Sequence, residues 1–234
     1  MNNGAITVKT WEECQPKFKE IEQHKDDLSK ENDGRHVSRL FYRGQSNAEL
    51  KLRTTLERKI NDYLNLSFED YYTIISKIGP QVETFTGRIW EIPQYSDPIP
   101  ESLLFGDLTL PAHEYIVYLR HHRFPSPLLD WTRSPFIAAF FAFNDINDKV
   151  EYVSIFAYLE WAGRGKSHRG GDPLITSLNS NIRTHVRHFL QQSEYTICTK
   201  ENMGKNYLAS HQNVFSKGGE EQHCCPVETT LDSK

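Results

Sequence analysis

His121-His122-Arg123-Phe124-Pro125-Ser126-Pro127-Leu128-Leu129-Asp130-Trp131-Thr132-Arg133-Ser134-Pro135 runs directly into a wholly apolar stretch, Phe136 to Phe143. Leu128 and Leu129 lead to Asp130, and Ser134-Pro135 reads as an N-cap followed by proline at the first helical position. That pair predicts a helix from Phe136 to Asn144. The helix is apolar on every side, so it is expected to be fully buried. At eight residues the run is far short of the roughly 20 a membrane-spanning helix needs. Upstream, Pro111 suits the first turn of a helix reaching about His122.

Reading towards the N-terminus, Thr10 to Lys30 has the spacing of an amphipathic helix. Trp11, Cys14, Phe18, Ile21 and Leu28 fall on one face, and Thr10 can cap the first turn. Glu31-Asn32-Asp33-Gly34 ends it with turn chemistry. Val37 to Tyr42 predicts a strand that stops at Arg43-Gly44. Leu50 to Asn61 and Ser67 to Thr86 predict helices, the second carrying Phe68, Tyr71, Ile74, Ile75 and Ile78 at helical spacing. Pro93, Pro98, Pro100 and Pro111 mark an extended connector. Towards the C-terminus, Glu151 to Glu160 and Tyr195 to Thr199 predict strands, with the glycine-rich segment Ala162 to Asp172 between them as a surface loop. Helices and strands interleave without a regular βαβ rhythm, which favours an α+β fold over a doubly wound sheet.

The whole chain of 234 residues fits one large domain, with 38% apolar and 25% charged residues. Phe, Tyr and Trp supply 12% of the residues, enough bulk for a core and too much for a disordered chain. A net charge of −4 argues against a generally basic nucleic-acid or membrane-surface protein, though not against a local basic groove. No apolar signal region opens the sequence, and Cys14, Cys198, Cys224 and Cys225 are scattered. A cytoplasmic location with no membrane contact is expected. Vicinal Cys224 and Cys225 after His223 lack the separation zinc ligands usually have, so no metal is expected.

Three clusters carry possible chemistry. In Phe41-Tyr42-Arg43-Gly44-Gln45, an arginine at a strand end beside a glycine can clamp a phosphate or carboxylate. Equally, it can be a surface arginine before a turn. The stretch from His121 to Pro135 packs two histidines, two arginines, an aspartate and three hydroxyls among apolar residues. It reads either as a polar site in which Asp130 orients His121, or as a structural network with Ser134 capping the helix. His185 to Thr196 adds Gln191, Gln192 and Glu194 beside a strand. Neither a G-x-G-x-x-G nor a G-x-x-x-x-G-K-[ST] pattern occurs, which argues against Rossmann and P-loop nucleotide binding.

Together, Phe41 to Gln45, Leu119 to Phe143 and His185 to Cys198 resemble the FRG domain, a bacterial and phage-associated module named for its F/Y-R-G motif. The resemblance covers roughly residues 35 to 215. Residues 1–34 then form an N-terminal helical segment, and 216–234 a polar tail, truncated or divergent where the family continues into a further helix and strand. The position of Arg123 is usually glycine in the family. The motif order is in turn similar to that of R-S-E ADP-ribosyltransferases, which implies a split β-sheet core with surrounding helices. On that resemblance NAD is the substrate. Arg43, Gly44 and Gln45 with Thr132 and Arg133 would bind it. Ser134 would position the ribose, and Gln192 and Glu194 would fill the third motif position.

Cleaving a nicotinamide–ribose bond passes through an oxocarbenium-like cation, which needs a cation for the pyrophosphate and a carboxylate near the ribose. Glu194 is the expected carboxylate, with Asp130 the other acid in the motifs and His121 nearby. The resemblance thus implies NAD-dependent ADP-ribosyl transfer or NAD hydrolysis in a toxin or anti-phage setting, with a protein or nucleic-acid acceptor and a defence-system partner. Two other classes stay open: a non-catalytic nucleotide- or protein-binding module, and a hydrolase or nuclease centred on His121 and Asp130.

Overall fold

The computed structural model describes residues 6–32, 35–60, 66–92, 110–146, 149–163, 171–178, 180, 182–184, 186–212 and 214, and the backbone of 221–228. The proline-rich connector over 93–109, residues 164–170 of the glycine-rich loop and His185 lie outside the described residues.

Helix α1 (Trp11–Glu31) buries Cys14, Phe18, Ile21 and Leu28, and the Thr10 hydroxyl accepts from the Glu13 amide, as the periodicity predicts. Strand β1 (Leu40–Gln45) starts later than predicted and continues through Arg43 and Gly44, because every one of its residues is paired with β3 (Tyr152–Leu159), from Leu40 with Leu159 to Gln45 with Ser154. The helix expected over Leu50 to Asn61 contracts to α2 (Thr55–Lys59), where Thr54 and Glu57 form a reciprocal capping box. Then come α3 (Phe68–Thr86), opened by a Ser67–Asp70 capping box, α4 (His113–His121), β2 (Leu128–Thr132) and α5 (Pro135–Phe143).

Beyond β3 the chain forms β4 (Leu174–Leu178), α6 (Val186–Leu190), β5 (Ser193–Asn202), β6 (Lys205–Leu208) and β7 (Glu221–Glu228). Among the described residues the strands form one seven-stranded antiparallel sheet in the order β4-β5-β2-β1-β3-β7, with β6 on β5, so the fold is α+β. The segment read as a polar tail therefore contains a strand. Main-chain pairing along β3, Tyr152 with Glu228 to Leu159 with Glu221, needs no apolar side-chain pattern to announce it. No described helix is long and apolar enough to cross a membrane.

The expectation that α5 is buried all round is wrong. Ala138, Ala139 and Ala142 face the sheet, while Phe136 and Phe140 are 63% and 60% exposed. The cause is Gly44. A Cβ placed there would lie 1.8 Å from the Ala138 carbonyl oxygen and 2.7 Å from the Ala142 nitrogen, so the helix backbone rests directly on β1. Only a small-residue face permits that approach, and it turns the phenylalanines outward. The glycine of the Arg43-Gly44 pair is thus there for a helix, not for close approach of a ligand.

Candidate functional site

On one side of the β1–β2 seam opens a cavity of about 680 Å³. Strand β1 meets β2 at one register pair, Tyr42 with Thr132, and the Arg43 side chain bridges the two strands beside it. One Arg43 Nη1 donates to the Asp130 backbone carbonyl at 2.6 Å and to Asp130 Oδ1 at 3.0 Å. Arg120, in the last turn of α4, donates from Nη2 to the same Oδ1 and from Nη1 to Thr55 Oγ1 at 3.3 Å. Thr55 Oγ1 also accepts from the Ser126 amide at 3.0 Å, tying α2 to the loop before β2.

Both guanidinium groups are largely enclosed, at 15% and 11% side-chain exposure, whereas the Asp130 side chain is 45% exposed at the cavity mouth. Asp130 is therefore hydrogen-bonded but not buried, despite its apolar neighbours in sequence. Enclosure pushes its carboxyl up, but the Arg120 and Arg43 charges outweigh that and hold it well below the ordinary carboxylate range. Arg58, Lys59 and Arg123 line the same cavity, and Asp130 is the one carboxylate among the described lining residues.

Arg123 has a left-handed backbone, φ +64°, just past the end of α4. Its amide bonds to the Arg120 carbonyl and the Phe124 amide to the Leu119 carbonyl, the closing pattern of a helix that ordinarily ends in glycine. A glycine at this position, expected from the family, meets that backbone without strain. Arginine accepts the strain and adds a cation to the cavity.

His121 lines the cavity and is joined to a buried chain of hydrogen bonds. Its Nε2 lies 3.2 Å from the Tyr195 hydroxyl, which lies 3.2 Å from His188 Nδ1, while His188 Nε2 lies 2.9 Å from the Ser180 carbonyl. A carbonyl only accepts, so His188 carries its proton on Nε2. Burial holds His188 below its ordinary value, so it is neutral and its Nδ1 accepts from the Tyr195 hydroxyl. The Tyr195 oxygen then accepts the Nε2 proton of His121. The Tyr195 hydroxyl is thus a partner that orients the His121 ring.

Arg43, Gly44, Gln45, His121, Asp130 and Thr132 line one cavity with Gln191. Ser134, Arg133, Gln192 and Glu194 do not. Thr132 Oγ1 donates to the Gln191 carbonyl at 2.7 Å, and Ser134 Oγ caps α5 through the Ile137 amide. Gln192 turns the chain into β5 with φ +48°. Glu194 sits between Ser193 and Tyr195, two lining residues, but is not itself part of the lining. It is buried, 3.4 Å from Arg133 Nε. Arg120, Arg58, Lys59 and Tyr195 were not singled out by sequence. Arg120 adjoins His121 and was within reach of the same reading, whereas the α2 cations carry no local signal.

Four polar atoms on β1 and β3 are buried without a hydrogen-bond partner among the described residues: Arg43 Nε, both amide atoms of Gln45 and Ser154 Oγ. Each such group, left unsatisfied, costs about 1–3 kcal/mol. The described residues contain no group of three or more His, Cys, Asp or Glu side chains placed to hold a metal ion.

No curated protein and no solved structure matches the chain. Residues 38–151, from just before β1 to just before β3, match the FRG domain family model, and this part of the chain, with Arg43, Arg120 and Asp130, belongs to the FRG domain family.

Proposed function

We propose that the cavity takes a pyrophosphate-bearing dinucleotide of the NAD class, and that the protein cleaves its nicotinamide–ribose bond, passing the ADP-ribosyl group to an acceptor or to water. The observation that carries this reading is the lining: among the described residues, Arg43, Arg58, Lys59, Arg120 and Arg123 line the cavity with a single carboxylate, Asp130. Clustered guanidinium groups match phosphate geometry through bidentate hydrogen bonds. The weakly laddered β1–β2 seam supports an ADP-ribosyltransferase-like split core.

In the cleavage step the C–N bond breaks with its electron pair leaving on nicotinamide, which becomes neutral. Positive charge then develops on the ribose carbon and ring oxygen. Asp130, firmly ionised at the cavity mouth, takes the part that the motif resemblance assigns to Glu194, which is not among the lining residues: it faces the cation. The acceptor or water adds its oxygen or nitrogen to the ribose carbon, and the imidazole of His121 is the lining group suited to take the released proton.

A second reading rests on the same ion pairs. Asp130 Oδ1 is already shared between Arg43 and Arg120, which offsets its charge towards a cation. A cavity built this way holds NAD without cleaving it, as a nucleotide-sensing module of a defence system does. Titration calorimetry with NAD, paired with a nicotinamide-release assay, separates the two. Binding with release supports the enzyme, binding without release supports the module, and no binding removes both.

A further inference from the structure

We propose that Gln45 is the specificity-determining residue of the cavity: its carboxamide reads a planar ligand edge that presents one hydrogen-bond donor beside one acceptor. The inference rests on the nucleotide reading above and adds what the cationic wall cannot supply, since guanidinium groups select charge and not the identity of a base. Gln45 ends β1, lines the cavity and is 5% exposed, yet neither its Oε1 nor its Nε2 has a hydrogen-bond partner among the described residues. Its cross-strand partner Ser154, fully buried, also has an unpartnered hydroxyl, and Arg43 Nε, two residues back on the same face, is a third orphan. Folded proteins satisfy nearly all buried polar atoms. A donor and an acceptor kept side by side on a residue that lines the cavity therefore point to a ligand group with the complementary pair.

A glutamine side chain meets that requirement in two groups of a dinucleotide: the carboxamide of nicotinamide, and the amine with its adjacent ring nitrogen on adenine. The same chemistry serves both, and the two are separable with analogues. The test titrates wild type and Gln45→Met, a variant of similar shape without donor or acceptor, with three ligands. These are NAD, nicotinic acid adenine dinucleotide (carboxamide replaced by carboxylate) and nicotinamide hypoxanthine dinucleotide (adenine amine replaced by oxygen). Thermal melting of Gln45→Met certifies its fold.

Wild type is expected to bind one of the two analogues roughly tenfold or more weakly than NAD, and that analogue names the edge Gln45 reads. Gln45→Met is expected to bind NAD and that analogue within about twofold of each other. Binding of all three ligands alike by wild type overturns the proposal while leaving the nucleotide reading intact. So does a Gln45→Met protein that folds and still discriminates. Failure of wild type to bind any of the three overturns both.

Discussion

Arg43 and Asp130 are held together twice: the same guanidinium nitrogen reaches the backbone carbonyl of Asp130 at 2.6 Å and its carboxylate at 3.0 Å. The first bond survives any change of the Asp130 side chain and the second does not. Asp130→Asn therefore keeps Arg43 anchored while removing the charge that Arg43 and Arg120 share. With the carboxylate half-open to water, the expected loss is about 1–2 kcal/mol at neutral pH. Because the folded carboxyl is held below its unfolded value, its contribution is complete above about pH 4 and is lost as pH falls further. Denaturant unfolding from pH 7 to pH 2.5 should show wild type converging on Asp130→Asn below pH 4; curves that stay parallel throughout would contradict the ion pair.

Gly44→Ala should be far more damaging than a surface glycine change. The added Cβ meets backbone of α5 and no flexible side chain, so α5 must lift from β1. A loss of about 3 kcal/mol or more is expected, with an overpacked site at the upper end of its class. A drop in Tm of only a degree or two would mean that the helix adjusts freely.

Arg123→Gly should move stability and ligand affinity in opposite directions. Relief of the left-handed arginine backbone is expected to stabilise by about 0.5–1 kcal/mol, while one cation leaves the cavity wall. Thermal melting and NAD titration of the same preparation read the two effects. Weaker binding without a rise in Tm would reject the strain argument.

If the cavity cleaves NAD, the two acids should separate cleanly. Glu194→Gln, outside the lining and beside Arg133, is expected to leave nicotinamide release within about threefold of wild type. Asp130→Asn should reduce it by two orders of magnitude or more, the scale typical of removing one group that stabilises transition-state charge. The reverse ranking would place Glu194 in the chemistry after all.

Two buried histidines make the fold sensitive to mild acid. Burial pushes His113 down to about 4 and His211 down to about 3, against an unfolded value near 6.5. Between those limits the unfolded chain binds protons that the folded chain refuses, so stability falls as pH drops below about 6.5. Each histidine contributes a loss of roughly 2 kcal/mol by pH 5. His113→Phe should flatten part of that slope in melts at pH 7, 6 and 5. An unchanged slope would mean that His113 protonates in place.

The sequence by itself determined the helices and their buried faces. The apolar repeats of Cys14, Phe18, Ile21 and Leu28 and of Phe68, Tyr71 and Ile75, with capping residues Thr10, Ser67 and Ser134, encode local structure through neighbours three and four positions away. It also marked Arg43, His121 and Asp130 as polar residues at element ends. The tertiary structure alone decided which way each side chain faces. An all-apolar α5 has no preferred side until Gly44 selects the alanine face, and a strand's parity is set by its register, so that pairing Asp130 with Tyr195 puts those two side chains on one face. Arg58, Lys59 and Arg120 reach the site for the same reason. Their convergence comes from elements far apart in the chain, and local periodicity carries no information about which surfaces will meet.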